Sequence, residues 1–139
     1  MTILDTNVLS EVVKPRPEPK VLEWLGAQNY REVFVTALTV AEMFHGLNRM
    51  PAGRRQAELF AAVDAMFQHE FAGRILPFDE AAAMSYADLM AGLERVGRKV
   101  GSFDAQIAAV ARVHTAKLAT RNIKDFEHSG VSLVDPWAV

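Results

Sequence analysis

Two kinds of hydrophobic pattern alternate along the chain. Short runs that are apolar on both faces occur at Thr2–Leu4, Val33–Thr36, Arg74–Pro77, Lys117–Thr120 and Val131–Val134, as expected of buried parallel strands. Between them, Val21–Leu25, Val40–Met50, Arg54–Phe71, Glu80–Val96 and Phe103–His114 carry helix formers with apolar residues three and four apart. A shorter helical pattern, Val8–Val13, follows the first strand, with Thr6 and Asn7 as plausible caps. Pro15, Pro17 and Pro19 break that pattern and make Lys14–Lys20 an extended link. The β-α-β-α order predicts an α/β fold. We expect a three-layer α/β/α sandwich with a central, mostly parallel sheet, in one domain over residues 1–139. A site in such a sheet is expected outside the carboxyl ends of its strands.

Composition narrows the chemistry. With no cysteine among 139 residues, disulfides, thiolate zinc sites and cysteine nucleophiles are excluded, and any metal must bind through oxygen or histidine. His45, His69, His114 and His128 lack the spacing of a two-histidine metal motif. The formal charge of −2 gives no global basic field, so a nucleic-acid partner requires a local patch or a bound metal. No apolar run approaches the ~20 residues of a membrane span, and a signal-peptide pattern is lacking. The expected location is the cytoplasm, with no membrane partner.

Three acids stand out. Asp5 ends the first strand in "ILDTNVLSE" and directly precedes a helix start. Glu42 follows Thr39 by three residues in "TVAE", which is also a capping-box spacing. Asp104, in "SFDA", follows the candidate cap Ser102 and suits the positive end of a helix dipole. Each local reading is adequate alone, and none explains the shared placement. Acids at these positions converge on one edge of a parallel sheet, where their mutual repulsion calls for a cation. A hard divalent ion, Mg2+ or Mn2+, takes oxygen ligands and suits phosphodiester hydrolysis.

The stretches "ILDTNVLSE", "TALTVAEMFHGL", "GRILPFDEAAAMSYADL", "GSFDAQIAAVA" and "LATRNIKDF", in this order and spanning nearly the whole chain, resemble PIN-domain ribonucleases of the VapC toxin type, in particular the FitB-like subgroup. The resemblance implies an α/β/α sandwich and metal-dependent endonucleolytic cleavage of RNA by the toxin of a type II toxin–antitoxin system. It makes Asp5, Glu42 and Asp104 the site acids, with Asp5 and Asp104 as metal ligands, and Thr6 and Ser102 supporting hydroxyls. The fourth catalytic position, commonly acidic in the subgroup, is Asn122, which offers a neutral carbonyl oxygen. Asp125, one turn on, is a compensating acid or simply a first-turn anion. Arg121 is the candidate for a substrate phosphate; Lys99 and Lys124 read as solvated surface charge.

The implied partners are a cognate VapB- or FitA-like antitoxin, RNA, and a second copy of the chain, in a homodimer and a toxin–antitoxin hetero-oligomer that reaches operator DNA only through the antitoxin. The stripe Met43, Phe44, Leu47, Met50, with Trp24 and Leu25, reads first as core and second as a groove for an antitoxin segment. The Ala-rich runs near residues 81–93 and 104–113 permit close helix approach, within the fold or across a two-fold interface. Two other readings stand beside this one. A haloacid-dehalogenase-like phosphatase needs an acid where this chain has Asn7. A PIN-fold module weakened in catalysis by Asn122 would bind antitoxin or RNA without cutting.

Overall fold

The computed structural model describes residues 1–139 and builds them around five parallel strands in the order β3-β2-β1-β4-β5. These are β1 (Thr2–Leu4), β2 (Val33–Thr36), β3 (Ile75–Leu76), β4 (Lys117–Ala119) and β5 (Leu133–Val134). The helices are α1 (Thr6–Val12), α2 (Pro19–Gly26), α3 (Ala37–Asn48), α4 (Arg54–Ala65), α5 (Glu80–Arg95), α6 (Ser102–Val113) and α7 (Ile123–Phe126). No helix is long and apolar enough to cross a membrane.

The strand alternation divides the core. Ile3 and Leu118 face one side, where Leu89, Leu93, Ala105, Ile107, Ala108 and Ala111 cover them from α5 and α6. Leu4 and Ala119 face the other, against Val8, Val21, Met43, Leu47 and Val63 from α1 to α4. The sandwich is therefore three-layered, and its sheet is wholly parallel. The Ala-rich faces of α5 and α6 let these helices approach closely within the fold. Met43 and Leu47 also belong to the core, and Phe44 and Met50 pack against it, with the Phe44 ring tilted against that of Phe60 at 5.0 Å.

Several element bounds differ from the sequence expectation. The proline link ends at Glu18, because Pro19 occupies the first turn of α2, where its missing N–H leaves nothing unsatisfied. The helix expected over Arg54–Phe71 stops at Ala65 and continues as a wider π turn, Met66–Glu70. α5 closes on Gly97, whose φ of +69° is the left-handed conformation glycine favours. There Gly97 N donates to the Glu94 carbonyl and Arg98 N to that of Leu93, a Schellman stop. The same turn sends Arg98 to donate to the Lys124 carbonyl at 2.7 Å, tying the approach to α6 onto α7.

β1 is central, and the chain leaves it first toward β2 and β3, later returning to β4 and β5 on its other side. The strand order reverses between β1 and β4. Their carboxyl ends thus form the crevice where parallel α/β sheets place their sites.

Candidate active site

The crevice holds a cleft of about 370 Å³ lined mostly by polar side chains from α1, α3, α6 and the segments that follow β1, β4 and β5. Six of the predicted residues meet there: Asp5, Thr6, Glu42, Asp104, Arg121 and Asn122. Ser102 and Asp125 do not line it. None of the four histidines does, and neither do Lys99 and Lys124.

Asp5 sits at the end of β1, only 3% exposed. It is itself the N-cap of α1, accepting from Thr6 N at 2.8 Å, a role expected of Thr6 or Asn7. Its other oxygen accepts from Thr120 Oγ1 at 2.8 Å and Asn7 Nδ2 at 3.2 Å. Thr120 has one hydroxyl hydrogen and gives it to Asp5, so it acts as acceptor toward Asn122 N, 3.0 Å away. Asn7 completes the lattice by accepting from Arg121 N at 3.3 Å. A buried hydroxyl and an amide thereby fix the β4–α7 loop to the end of β1.

Glu42 is not the second half of a capping box. α3 begins at Ala37, with Thr36 as the cap accepting from Thr39 N, so Glu42 lies well inside the helix. Its carboxylate accepts from Thr6 Oγ1 at 2.8 Å. Because that uses Thr6's one hydrogen, the 3.0 Å contact between Thr6 and Thr39 has Thr39 as donor. Buried Thr39 thus steers Thr6, and Thr6 aims Glu42 at the cleft.

Asp104 occupies the first turn of α6, whose N-cap is Gly101 and not Ser102. Ser102 turns away and accepts from Gln106 Nε2 at 3.1 Å. Burial pushes the Asp104 carboxyl up to about 6, with further contributions from the negative charges of Asp5, Asp125 and Glu42. Burial also raises Asp5, against the opposing hydrogen bonds of Thr120 and Thr6, while the charges of Glu42 and Asp125 add to the rise. Asp125 therefore acts on the cleft through its field and not as part of its wall. Asn122 stands exposed in the wall, precedes α7 and makes no side-chain capping bond. Its amide is available to the cleft.

Thr120 and Trp137 carry no signal in the sequence, and Asn7 and Thr39 suggest only helix caps there. The "DTN" run is the only local signal for Asn7; Thr120 becomes visible only through the register that sets Leu4 beside Ala119. Glu11 and Lys14 also line the cleft. The Glu11 carboxylate lies below its ordinary range because Lys14 donates to it at 3.0 Å, outweighing its desolvation, with the Glu18 N–H and the charges of Lys14 and Arg121 assisting.

The donor set is all oxygen: clustered carboxylates in an uncompensated field, a hydroxyl and an amide. No three acids converge tightly enough to hold an ion by direct contacts alone. That suits Mg2+ or Mn2+, which keep several waters and bind directly through one or two carboxylates. The residues present fit such an ion in hydrated form. Beside the cleft, and sharing Thr6, Ser10, Lys14 and Glu42 with it, a second groove of about 500 Å³ runs between α1, α3 and α4. Val13, Met43, Leu47, Met50, Leu59 and Val63 give it an apolar lining.

The PIN domain family matches residues 2–130 of the chain. The chain is 42% identical to VapC ribonuclease Y4jK of Sinorhizobium fredii, covering 99% of this chain and 98% of that protein. It is 36% identical to toxin FitB of Neisseria gonorrhoeae, covering 99% of each. Its structure superposes on a chain of FitAB bound to an IR36 DNA fragment with a TM-score of 0.94 and 36% identity, covering 100% of this chain and 97% of that one.

Proposed function

This chain belongs to the PIN-domain family, and from that premise we propose that it is the toxin of a toxin–antitoxin pair, an endoribonuclease hydrolysing RNA phosphodiester bonds with Mg2+ or Mn2+. The observation that carries the metal-dependent chemistry is the pair Asp5 and Asp104, both raised by burial and by neighbouring acids with no cationic partner in contact. A divalent ion bound among these acids would supply the missing charge and the Lewis acidity that phosphodiester hydrolysis calls for. Asp5 and Asp104 would hold it, with Glu42 and Asn122 beside them in the wall of the cleft. Thr120 and Thr6 keep Asp5 and Glu42 in fixed orientations, so little rearrangement precedes the reaction. Arg121, at the rim, would take a substrate phosphate.

The antitoxin would lie in the apolar groove, which shares Thr6, Ser10, Lys14 and Glu42 with the acidic cleft. A segment laid there by its apolar face would cover both. Assembly with the antitoxin and with a second copy of the chain belongs to the same reading. Operator DNA would be met through the antitoxin, since this chain carries a net charge of −2.

The test is cleavage of single-stranded RNA by the purified chain freed of antitoxin. Activity with Mg2+ or Mn2+ that EDTA abolishes and added metal restores is expected. Cleavage that survives complete chelation and re-purification overturns the metal mechanism. Metal and RNA binding without cleavage would favour the weakened binding module.

A further inference from the structure

Arg121 presents a puzzle. It lines a cleft with Asp5, Glu11, Glu42 and Asp104, yet it forms no ion pair; the ion pairs in the protein use the N-terminal amine, Lys14 and Arg54. Its guanidinium carbon lies 5.0 Å from the centre of the Trp137 ring. The ring is held from behind. It packs on the core cluster containing Leu4, Val8 and Ala119, and its backbone N donates to Asp135 Oδ1 at 2.9 Å. On the other flank, Asn7 pins the Arg121 main chain. The Glu11 oxygens accept from Lys14 Nζ and Glu18 N, and Glu11 feels the Arg121 charge without forming an ion pair with it.

A guanidinium is weakly hydrated and stacks readily on an aromatic face. Without the ring, a long flexible arginine beside uncompensated carboxylates would fold onto them, neutralising the charge that a metal needs. We propose that Trp137 is a positioning residue whose indole holds Arg121 at the cleft rim, off the acids, so that the guanidinium meets an RNA phosphate and the carboxylates stay open to the metal. The inference rests on the metal-dependent reading above, and it gives the carboxyl-terminal "DPW" turn a part in the site.

The experiment is Mn2+ titration of the whole protein without RNA, read by the electron paramagnetic resonance of the unbound ion. Trp137→Ala is expected to weaken Mn2+ binding about fivefold, the scale of one lost cation–π contact, while Trp137→Phe keeps affinity within about twofold. Arg121→Ala should bind Mn2+ at least as tightly as the wild type, and Arg121→Ala/Trp137→Ala should match Arg121→Ala. With RNA and saturating Mn2+, Trp137→Ala should raise KM with a smaller effect on kcat. If Trp137→Ala binds Mn2+ like the wild type, or if its weakening persists unchanged in the Arg121→Ala background, Trp137 is merely structural and the inference fails. The double variant controls for any loss of folding, since a folding defect would persist without Arg121. A wild-type protein that binds no Mn2+ overturns the metal reading itself, and this inference with it.

Discussion

Replacing Asp104 with Asn isolates the electrostatic cost of gathering acids in the cleft. Asp104 titrates at about 6 in the folded protein, against an ordinary 3.8. The folded state therefore holds the proton more tightly than the unfolded chain. Stability is fullest below the unfolded value, falls as pH rises from about 4 to about 6, and is flat above that. A shift of this size corresponds to at most roughly 3 kcal/mol; allowing for partial solvent screening, about 1–2 kcal/mol is expected. Asn carries no charge, so Asp104→Asn removes this penalty while losing a first-turn anion worth about 0.3–1 kcal/mol. Without metal at pH 7.5 the variant should gain a net ~1 kcal/mol, a rise in Tm of about 3–5 °C for a domain of this size. The gain should vanish near pH 4, and RNA cleavage should be lost. Thermal melts in EDTA from pH 4 to 8, paired with Mn2+ titrations, measure both. A metal-free variant less stable than the wild type at every pH, with cleavage intact, would reduce Asp104 to a helix-start anion and refute the argument.

Three further substitutions bear on other parts of the site. Asn122→Asp should tighten divalent binding and lower metal-free stability, because another carboxylate joins the cluster; metal titrations of cleavage and of Tm check this, and no change in either removes Asn122 from the site. Thr120→Val should cost about 1–3 kcal/mol in a urea melt by removing the shorter of the two hydrogen bonds to a buried Asp5 oxygen, leaving only Asn7 Nδ2, and the acceptor of the Asn122 N–H, and Mn2+ affinity near pH 7 should fall as Asp5 rises further. Gly46→Phe should fill the apolar groove, since nothing lies within 4 Å of the added Cβ. It is expected to abolish antitoxin binding by calorimetry while Tm holds, and an undiminished affinity would move the antitoxin elsewhere.

Asp5 was legible because a strand that is apolar on both faces and stops on a carboxylate has few explanations. β1 and β2 kept their expected bounds because their residues are buried by helices on both sides. β3 and β5, at the sheet edges, have two-residue ladders and are shorter than their apolar runs suggest. Glu42 was found for an incomplete reason. Thr36 and Thr39 both offer a hydroxyl near the start of α3, and only the folded backbone decides that Thr36 is the cap, leaving Thr39 to orient Thr6. Thr120 and Trp137 carry no local signature. Their roles follow from strand register and from a ring closing against an arginine sixteen positions earlier.

The hydrogen bond from Thr120 to Asp5 spans 115 positions of sequence, and this separation has a consequence for timing. Asp5 is synthesised more than a hundred residues before the strand that flanks it and the ring that steers Arg121. Such long-range pairings form late, after their loops have closed. A nascent or prematurely terminated chain thus carries the first acid without its fixing hydroxyl, beside an unpaired edge of β1. A nuclease arranged in this way cannot complete its cleft before the "DPW" turn has been made; only a chain extended past that turn holds all the parts.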